Sequence, residues 1–318
     1  MLLALEGASL PIGRGCLKGA TMHYTGPTYR PPFEARSVIL QVTAGCSHNG
    51  CAFCSMYRDV PFEASPLDQI EEDLREAAQF APYAQRVFLA NGDAFCLAAD
   101  DLLRIAQLVH EHLPRVSTIG GYASIRNVIG KTDEDLAALA AAGFANFNFG
   151  LESALDDVLD FMNKGFDVAE ARFQFGRLRQ AGMPFNVNIV NAAAGPERIV
   201  EHARANAAFI NEIAPTLVFV SPLHVDPGTP LAEELAAGRF AECTLGQYLE
   251  EEIELLRGLD VDDCIFYGLH MSNPVQVAGR LPRDKADMLE TLEEGLANMP
   301  QRMRDSHPLK GREGRIVG

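Results

Sequence analysis

The sequence predicts an α/β fold, a partial (β/α)6 barrel with short N-terminal and helical C-terminal extensions, and three observations carry that expectation. The 318 residues are 47% hydrophobic and 22% charged, an ordinary soluble globular composition with enough apolar content for one large core. Short runs of β-branched and aromatic residues alternate with longer amphipathic stretches, the pattern of repeated βα units on a parallel sheet. The polar motifs stand just after the short runs, where such a sheet places its functional loops.

Six strands are expected, at Val38 to Thr43, Arg86 to Ala90, Val116 to Gly121, Asn146 to Leu151, Phe185 to Val190 and Leu217 to Leu223. Helical periodicity fills the gaps at Pro66 to Phe80, Asp100 to His112, Thr132 to Ala142, Val168 to Ala181 and Glu197 to Ile213. Ser65 before Pro66 reads as a helix start, Thr132 with Asp135 three residues on reads as a cap, and Gly143 and Gly182 read as helix ends. Six units are too few for a closed eightfold barrel and enough for an open one. Two further helices follow, Thr244 to Leu256 and Arg283 to Leu296. The chain divides into an N-terminal extension (1–35), the barrel (36–231), a helical extension (232–301) and a flexible basic tail (302–318). The acidic runs Glu71-Glu72-Asp73 and Glu250-Glu251-Glu252 read as solvated helix faces.

Acids outnumber bases 43 to 27, a net charge of -16 that repels a phosphate backbone and makes nucleic acid a poor default partner. No apolar run is long enough for a membrane helix, and Glu6 interrupts the opening segment where a signal peptide would be apolar. A cytoplasmic location is the expectation. The seven cysteines are an odd number, and Cys46, Cys51 and Cys54 crowd into nine residues just after the first strand. That crowding fits reduced thiols holding a metal better than a disulfide framework. Three thiolates in one loop suit iron-sulfur or zinc. A closed zinc site needs a fourth ligand, no second CxxC exists, and His48 lies inside the same tight loop. Three ligands on a cubane cluster would leave one iron open to bind something else.

With Phe53 just before its last cysteine, Cys46-Ser-His-Asn-Gly-Cys51-Ala-Phe-Cys54 resembles the three-cysteine loop of the radical S-adenosylmethionine (radical SAM) superfamily. The usual spacing there is three residues and then two, whereas this chain has four and then two. The resemblance spans about residues 36 to 231. It implies a 4Fe-4S cluster on Cys46, Cys51 and Cys54, and S-adenosylmethionine as the second cofactor. Ala90-Asn91-Gly92-Asp93 resembles the family's glycine-rich segment for the methionine amino group, which implicates Gly92 and Asp93, although such a turn is also common structural punctuation. Gly150-Leu-Glu-Ser153 and Asn163-Lys164-Gly165 resemble segments that meet the ribose or methionine and the carboxylate, which implicates Glu152 and Lys164. Ser124 and Asn188 occupy places where relatives contact ribose, or satisfy backbone groups instead. Leu223 to Leu231, with its Pro-Gly-Thr-Pro turn, resembles a loop of the branch that holds methylthiotransferases, elongator acetyltransferases and oxygen-independent coproporphyrinogen oxidases.

His224 and His270 fall in loops that can overlook the barrel mouth, as structural residues or as acid and base. Cys96 reads as a small buried filler or a group near the site, while Cys16, Cys243 and Cys264 are scattered and predict no second cluster. The resemblance implies an enzyme that cleaves S-adenosylmethionine reductively to a deoxyadenosyl radical, with a low-potential electron donor such as a ferredoxin or flavodoxin. The substrate expected is a small molecule or peptide. The alternatives are an RNA-modifying enzyme of the same family and a non-catalytic iron-sulfur or zinc-binding protein.

Overall fold

A computed structural model describes residues 22–307; Cys16 and the part of the basic tail beyond His307 lie outside the described residues. In chain order the elements are β1 (Val38–Gln41), β2 (Thr43–Ala44), β3 (Glu63–Ala64), α1 (Leu67–Phe80), β4 (Arg86–Ala90), α2 (Ala99–His112), β5 (Thr118–Ala123), α3 (Ile125–Ile129), α4 (Asp133–Ala141) and β6 (Phe147–Glu152). There follow α5 (Asp156–Phe161), α6 (Val168–Gln180), β7 (Phe185–Asn191), α7 (Ile199–Ile213), β8 (Leu217–Pro222), α8 (Pro230–Ala236), α9 (Leu245–Gly258), β9 (Cys264–Tyr267), β10 (Ala278–Leu281), α10 (Lys285–Asn298) and α11 (Gln301–Arg304).

The main sheet has the order β1-β4-β5-β6-β7-β8-β9-β10, parallel from β1 to β9 and antiparallel between β9 and β10. All six expected strands are present, with the third displaced by two residues. Val116 and Ser117 belong instead to the turn that leaves α2, where Val116 N–H bonds to the Leu113 carbonyl. The segment from 232 to 301 is not purely helical, because β9 and β10 continue the sheet. Their four-residue length gave periodicity too little to work on.

Outward-facing Val38, Leu40, Val87, Leu89, Ile119, Phe149, Val187, Ile189, Val218, Val220 and Phe266 pack with the helices into one core. The opposite parity faces the barrel interior. Its floor is closed by the turn Pro32–Glu34: Phe33 meets Tyr267 edge-on at 5.1 Å, and buried Glu34 takes three bonds of 2.7 to 2.9 Å from Arg86. The preceding segment lies along the free edge of β1, with the Tyr24 hydroxyl on the Ile39 carbonyl at 2.8 Å and Thr25 N–H on Gln41 Oε1 at 2.7 Å.

The Thr132 capping box forms as expected, and Gly143 and Gly182 close their helices at positive φ. Ser65 does not cap α1. Its N–H bonds to the Val42 carbonyl, extending the β2-β3 ribbon, and Pro66 takes the cap position without a side-chain bond. The acidic runs are not solvated throughout, for Asp73, Glu251 and Glu252 are each only 1% exposed. They fall on the inner stripes of α1 and α9, where Asp73 meets His23 and Glu251 meets His202, distant partners to which periodicity is blind. The tail does not begin flexible either: α11 docks on α9 through an Arg304 to Glu250 ion pair, and Leu245 N–H bonds to the Ser306 carbonyl at 2.8 Å.

Candidate active site

The cysteine loop leaves the barrel through the β2-β3 ribbon and crosses the carboxyl ends of the strands, fastened on three sides. On the first side, Gly92 lies so close that a Cβ there would sit 2.5 Å from that of Cys46. Asp93, 2% exposed, accepts the Ser47 N–H at 2.8 Å, the Ser47 hydroxyl, and Asn127 Nδ2 at 3.3 Å. At the base of the loop, Gly45 (φ +69°) leaves no room for a side chain against the Val60 carbonyl. Only glycine meets both demands there.

On the second side the loop and Asn163 exchange bonds. Asn163 Nδ2 donates to the Gly50 carbonyl at 2.7 Å, and His48 Nε2–H donates to the Asn163 carbonyl at 2.6 Å. The Arg126 guanidinium donates to His48 Nδ1. Asn49 takes φ +40° and donates to the Tyr57 carbonyl at 3.0 Å. The extra residue in the spacing is thus accommodated by a left-handed turn and a histidine anchor.

The third side is the Leu223 to Leu231 loop. Leu231 N–H bonds to the Ala52 carbonyl at 3.0 Å, the Ser55 hydroxyl to Asp226, and Arg58 to the Gly228 carbonyl at 2.9 Å. The segment expected as a turn-rich branch marker fastens the far end of the cysteine loop.

These fastenings sort the expected site residues into two groups flanking the thiols. Asp93, Ser124 and Cys96 line a cavity of about 250 Å³ together with Ser47, Arg126 and Lys131. Ser124 also caps α3, in a reciprocal capping box with Asn127. Facing the barrel interior are Phe53, Glu152 and Lys164. Lys164 Nζ lies 3.2 Å from Glu152 Oε1 and 5.8 Å from the Phe53 ring centre, with Lys164 and Glu152 7% and 8% exposed. Both polar tips hang over Gly150, where a Cβ would lie 2.4 Å from Glu152 Oε1. Asn188 faces the interior one strand away, paired in register with Gly150.

Electrostatics separate the groups further. Burial alone raises the Glu152 carboxyl, and Lys164 opposes the rise. Burial pulls the Lys164 ammonium down, but Cys51, Glu152 and Cys54 outweigh it and hold the pKa above the usual lysine range. Burial and Asp93 push the Cys46 thiol up to about 11, and burial raises Cys54. Thiols so raised ionise when a cation takes the proton's place, as a cluster iron does. The donor set fits an iron-sulfur cluster: three unpaired, half-buried thiols in one loop with a lysine beside two of them. Among the described residues no three His, Cys, Asp or Glu side chains gather around a single point.

The radical SAM superfamily profile matches residues 40–204, just over half of the chain. The chain belongs to the radical SAM superfamily. It is an enzyme of that class, whose cofactors are a 4Fe-4S cluster and S-adenosylmethionine. Its fold is similar to that of the radical SAM methyltransferase TsrM from Kitasatospora setae, solved with cobalamin and a 4Fe-4S cluster (19% identity, TM-score 0.52, 64% of this chain and 39% of that one). It is also similar to coproporphyrinogen III oxidase (HemN) from Escherichia coli (14% identity, TM-score 0.50, 70% of this chain and 50% of that one). This radical SAM enzyme therefore spans half or less of the length of these solved relatives. A search of the curated proteins finds no match. No helix among the described residues is long and apolar enough to cross a membrane.

Several buried polar residues that hold the strand ends carry no sequence signal. Lys131, buried, donates to the Phe95, Leu97 and Asn127 carbonyls at 2.7 to 3.1 Å and so shapes the turn after β4; burial pulls its pKa to about 8. Ser153, His202 and Glu251 form a fully buried chain, with Nε2 2.9 Å from the Ser153 hydroxyl and Nδ1 2.7 Å from Glu251 Oε1. Ala154 N–H fixes Asn206 Oδ1, which turns Asn206 Nδ2 toward His202 Nε2 at 3.2 Å. His202 Nε2 therefore accepts, and its proton sits on Nδ1 toward Glu251. Glu251 Oε1 also takes the Ala192 N–H at 3.0 Å. One network thus pins the ends of β6 and β7, each beside a non-glycine residue at positive φ, Glu152 (+67°) and Ala192 (+68°). Cys243 and Cys264 are buried in separate apolar clusters.

Proposed function

We propose that Cys46, Cys51 and Cys54 hold the 4Fe-4S cluster and that Lys164, Glu152, Asp93, Gly92, Phe53, Ser124 and Asn188 surround S-adenosylmethionine during reaction on a small-molecule or peptide substrate. One observation carries this reading: Lys164 is buried 3.2 Å from the Glu152 carboxylate and beside the thiols of Cys51 and Cys54, which fixes a positive charge next to the cysteine loop where an anionic group can meet it. Bound there, the cluster and S-adenosylmethionine would supply a hydrogen-abstracting deoxyadenosyl radical, with one electron taken from the external donor and methionine released.

The chain's own residues bind, orient and shield. Lys164 offers its ammonium to a carboxylate, and Glu152 offers its carboxylate to a hydroxyl or amine, each partly released from the other. Asp93 fixes the Ser47 end of the cysteine loop and keeps acceptor capacity toward the adjoining cavity. Phe53 lays an apolar face beside Lys164, and the Leu223 to Leu231 loop covers the cysteine loop against water. The electron donor is a ferredoxin or flavodoxin. The barrel domain takes in residues 36–231 and is completed by β9 and β10. The net charge of -16 and the docking of Arg304 on Glu250 favour a small substrate over RNA.

The test is anaerobic reconstitution followed by S-adenosylmethionine and dithionite, with 5′-deoxyadenosine read by mass spectrometry. The wild type forms it and Cys51→Ala, lacking the cluster, does not. A full cluster in Cys51→Ala, or an intact cluster with no deoxyadenosine, overturns the proposal.

A further inference from the structure

Along six of the seven parallel strands solvent reaches interior positions: Ile39, Tyr122, Gly150, Asn188, Phe219 with Ser221, and Ile265 with Tyr267 are half-buried while their outward neighbours are sealed; on β4, Phe88 and Ala90 are closed. Four of them form one row, since Gly150 pairs with Asn188, Asn188 with Phe219, and Phe219 with Tyr267. The row begins beneath Glu152 and Lys164 and ends three strand spacings away, about 14 Å along the sheet.

The far end is a wall of rings. Phe219 and Tyr267 stack at 5.8 Å, His270 meets Phe219 edge-on at 5.9 Å, and His224 lies 6.3 Å from His270. Burial and the neighbouring His224 hold His270 near 4, burial lowers His224 as well, and both imidazoles are neutral at pH 7. His224 Nε2 is buried with no hydrogen-bond partner among the described residues. The charged groups around the chamber are occupied or uncharged. Glu34 and Arg86 pair at the floor, Glu152 and Lys164 pair at the mouth, Asp226 holds Ser55, and burial raises Glu252 behind Gly268 to about 8.

We infer that the chamber between Asn188 and the Phe219–Tyr267–His270–His224 wall binds the substrate, and that this substrate is a small molecule presenting an uncharged aromatic or heteroaromatic ring. The inference rests on the radical SAM reading above and deepens it. Stacking and edge contacts reward a ring, while the free His224 Nε2 and the Asn188 amide reward neutral donors and acceptors. A charged ring would be desolvated opposite no free countercharge. The cysteine loop fastened to the Leu223 to Leu231 loop bridges the mouth, and the Tyr24 to Phe33 segment closes the β1 side, which suits a free small molecule over a polypeptide.

Benzamide, benzoate and benzamidine share one shape and carry charges of zero, minus one and plus one, so ligand-observed NMR titration of the reconstituted enzyme with each separates the terms. Benzamide is expected to bind about tenfold more tightly than either ion and to lose about fivefold or more in Tyr267→Leu and in Phe219→Leu, each with its cluster content verified. Equal or tighter binding of an ion, no benzamide binding at about 10 mM, or unchanged binding in both variants overturns the inference. Deoxyadenosine formation is scored in the same preparations. Its presence without the benzamide preference sinks only the inference, and its absence despite that preference sinks only the radical SAM site assignment.

Discussion

Replacing His202 with alanine removes the centre of the network that ties the ends of β6 and β7 together. Ser153 and His202 are wholly buried and Glu251 is 1% exposed, so no water replaces the lost imidazole without opening the core. Three partners lose a bond: the Ser153 hydroxyl, Asn206 Nδ2 and Glu251 Oε1, the last keeping only the Ala192 N–H. A buried polar group left unsatisfied costs about 1 to 3 kcal/mol, and the partners relax in part toward each other, giving about 4 kcal/mol in all. That is a large share of the 5 to 15 kcal/mol typical of a domain. Anaerobic urea unfolding of wild type, His202→Ala and His202→Gln measures it, with the glutamine variant, which keeps one donor and one acceptor, expected between the others. The Glu152 backbone loses its tether, so S-adenosylmethionine should bind more weakly to His202→Ala with iron content unchanged. A loss below about 1 kcal/mol together with unaltered affinity would show that the network holds neither strand end.

Three further outcomes are expected. Lys164→Met keeps full iron content but binds S-adenosylmethionine about 10 to 150 times more weakly in equilibrium dialysis, the worth of one charge-assisted bond of about 1.5 to 3 kcal/mol; an unchanged dissociation constant refutes the contact. Burial raises Glu252 to about 8 from 4.5, so the folded state holds a proton that the unfolded state releases, and stability falls as pH rises through that window. His270, held near 4 by burial, gives the opposite slope up to pH 6.5, leaving a net fall of about 2 kcal/mol between pH 6.5 and 8. That fall should be missing from urea melts of Glu252→Gln, and its persistence there would reassign it. Bulk tRNA should show no appreciable filter binding near 150 mM salt, to the full chain or to a version ending at His307; micromolar binding that truncation abolishes would instead favour an RNA substrate.

The barrel was legible because hydrophobic parity and helical period act locally. Val87 and Leu89 or Val187 and Ile189 announce a strand buried on one face whatever lies around them. The cysteine loop was legible because its chemistry is concentrated within nine residues. Groups whose meaning depends on distant partners were not. Glu251 looked like part of a solvated acidic run because His202 lies 49 residues away and Ala192 59 residues away. His48, weighed in the sequence only as a fourth metal ligand, takes its anchoring role from Asn163 and Arg126, 115 and 78 residues away. Asp93 was legible as a candidate site residue from its motif, but its bonds to Ser47 and Asn127 are a tertiary fact no turn motif encodes. β9 and β10 escaped because four-residue strands carry barely two periods, and only pairing with β8 gives them a sheet to join.

Mössbauer spectroscopy of the iron-57 cluster with and without the cofactor reads most directly whether three thiols leave one iron free for S-adenosylmethionine. Cofactor addition should change the parameters of one iron in four, and Cys46→Ala should abolish both cluster and change. Four irons that respond alike, or none that respond while the cofactor is bound, would contradict the account.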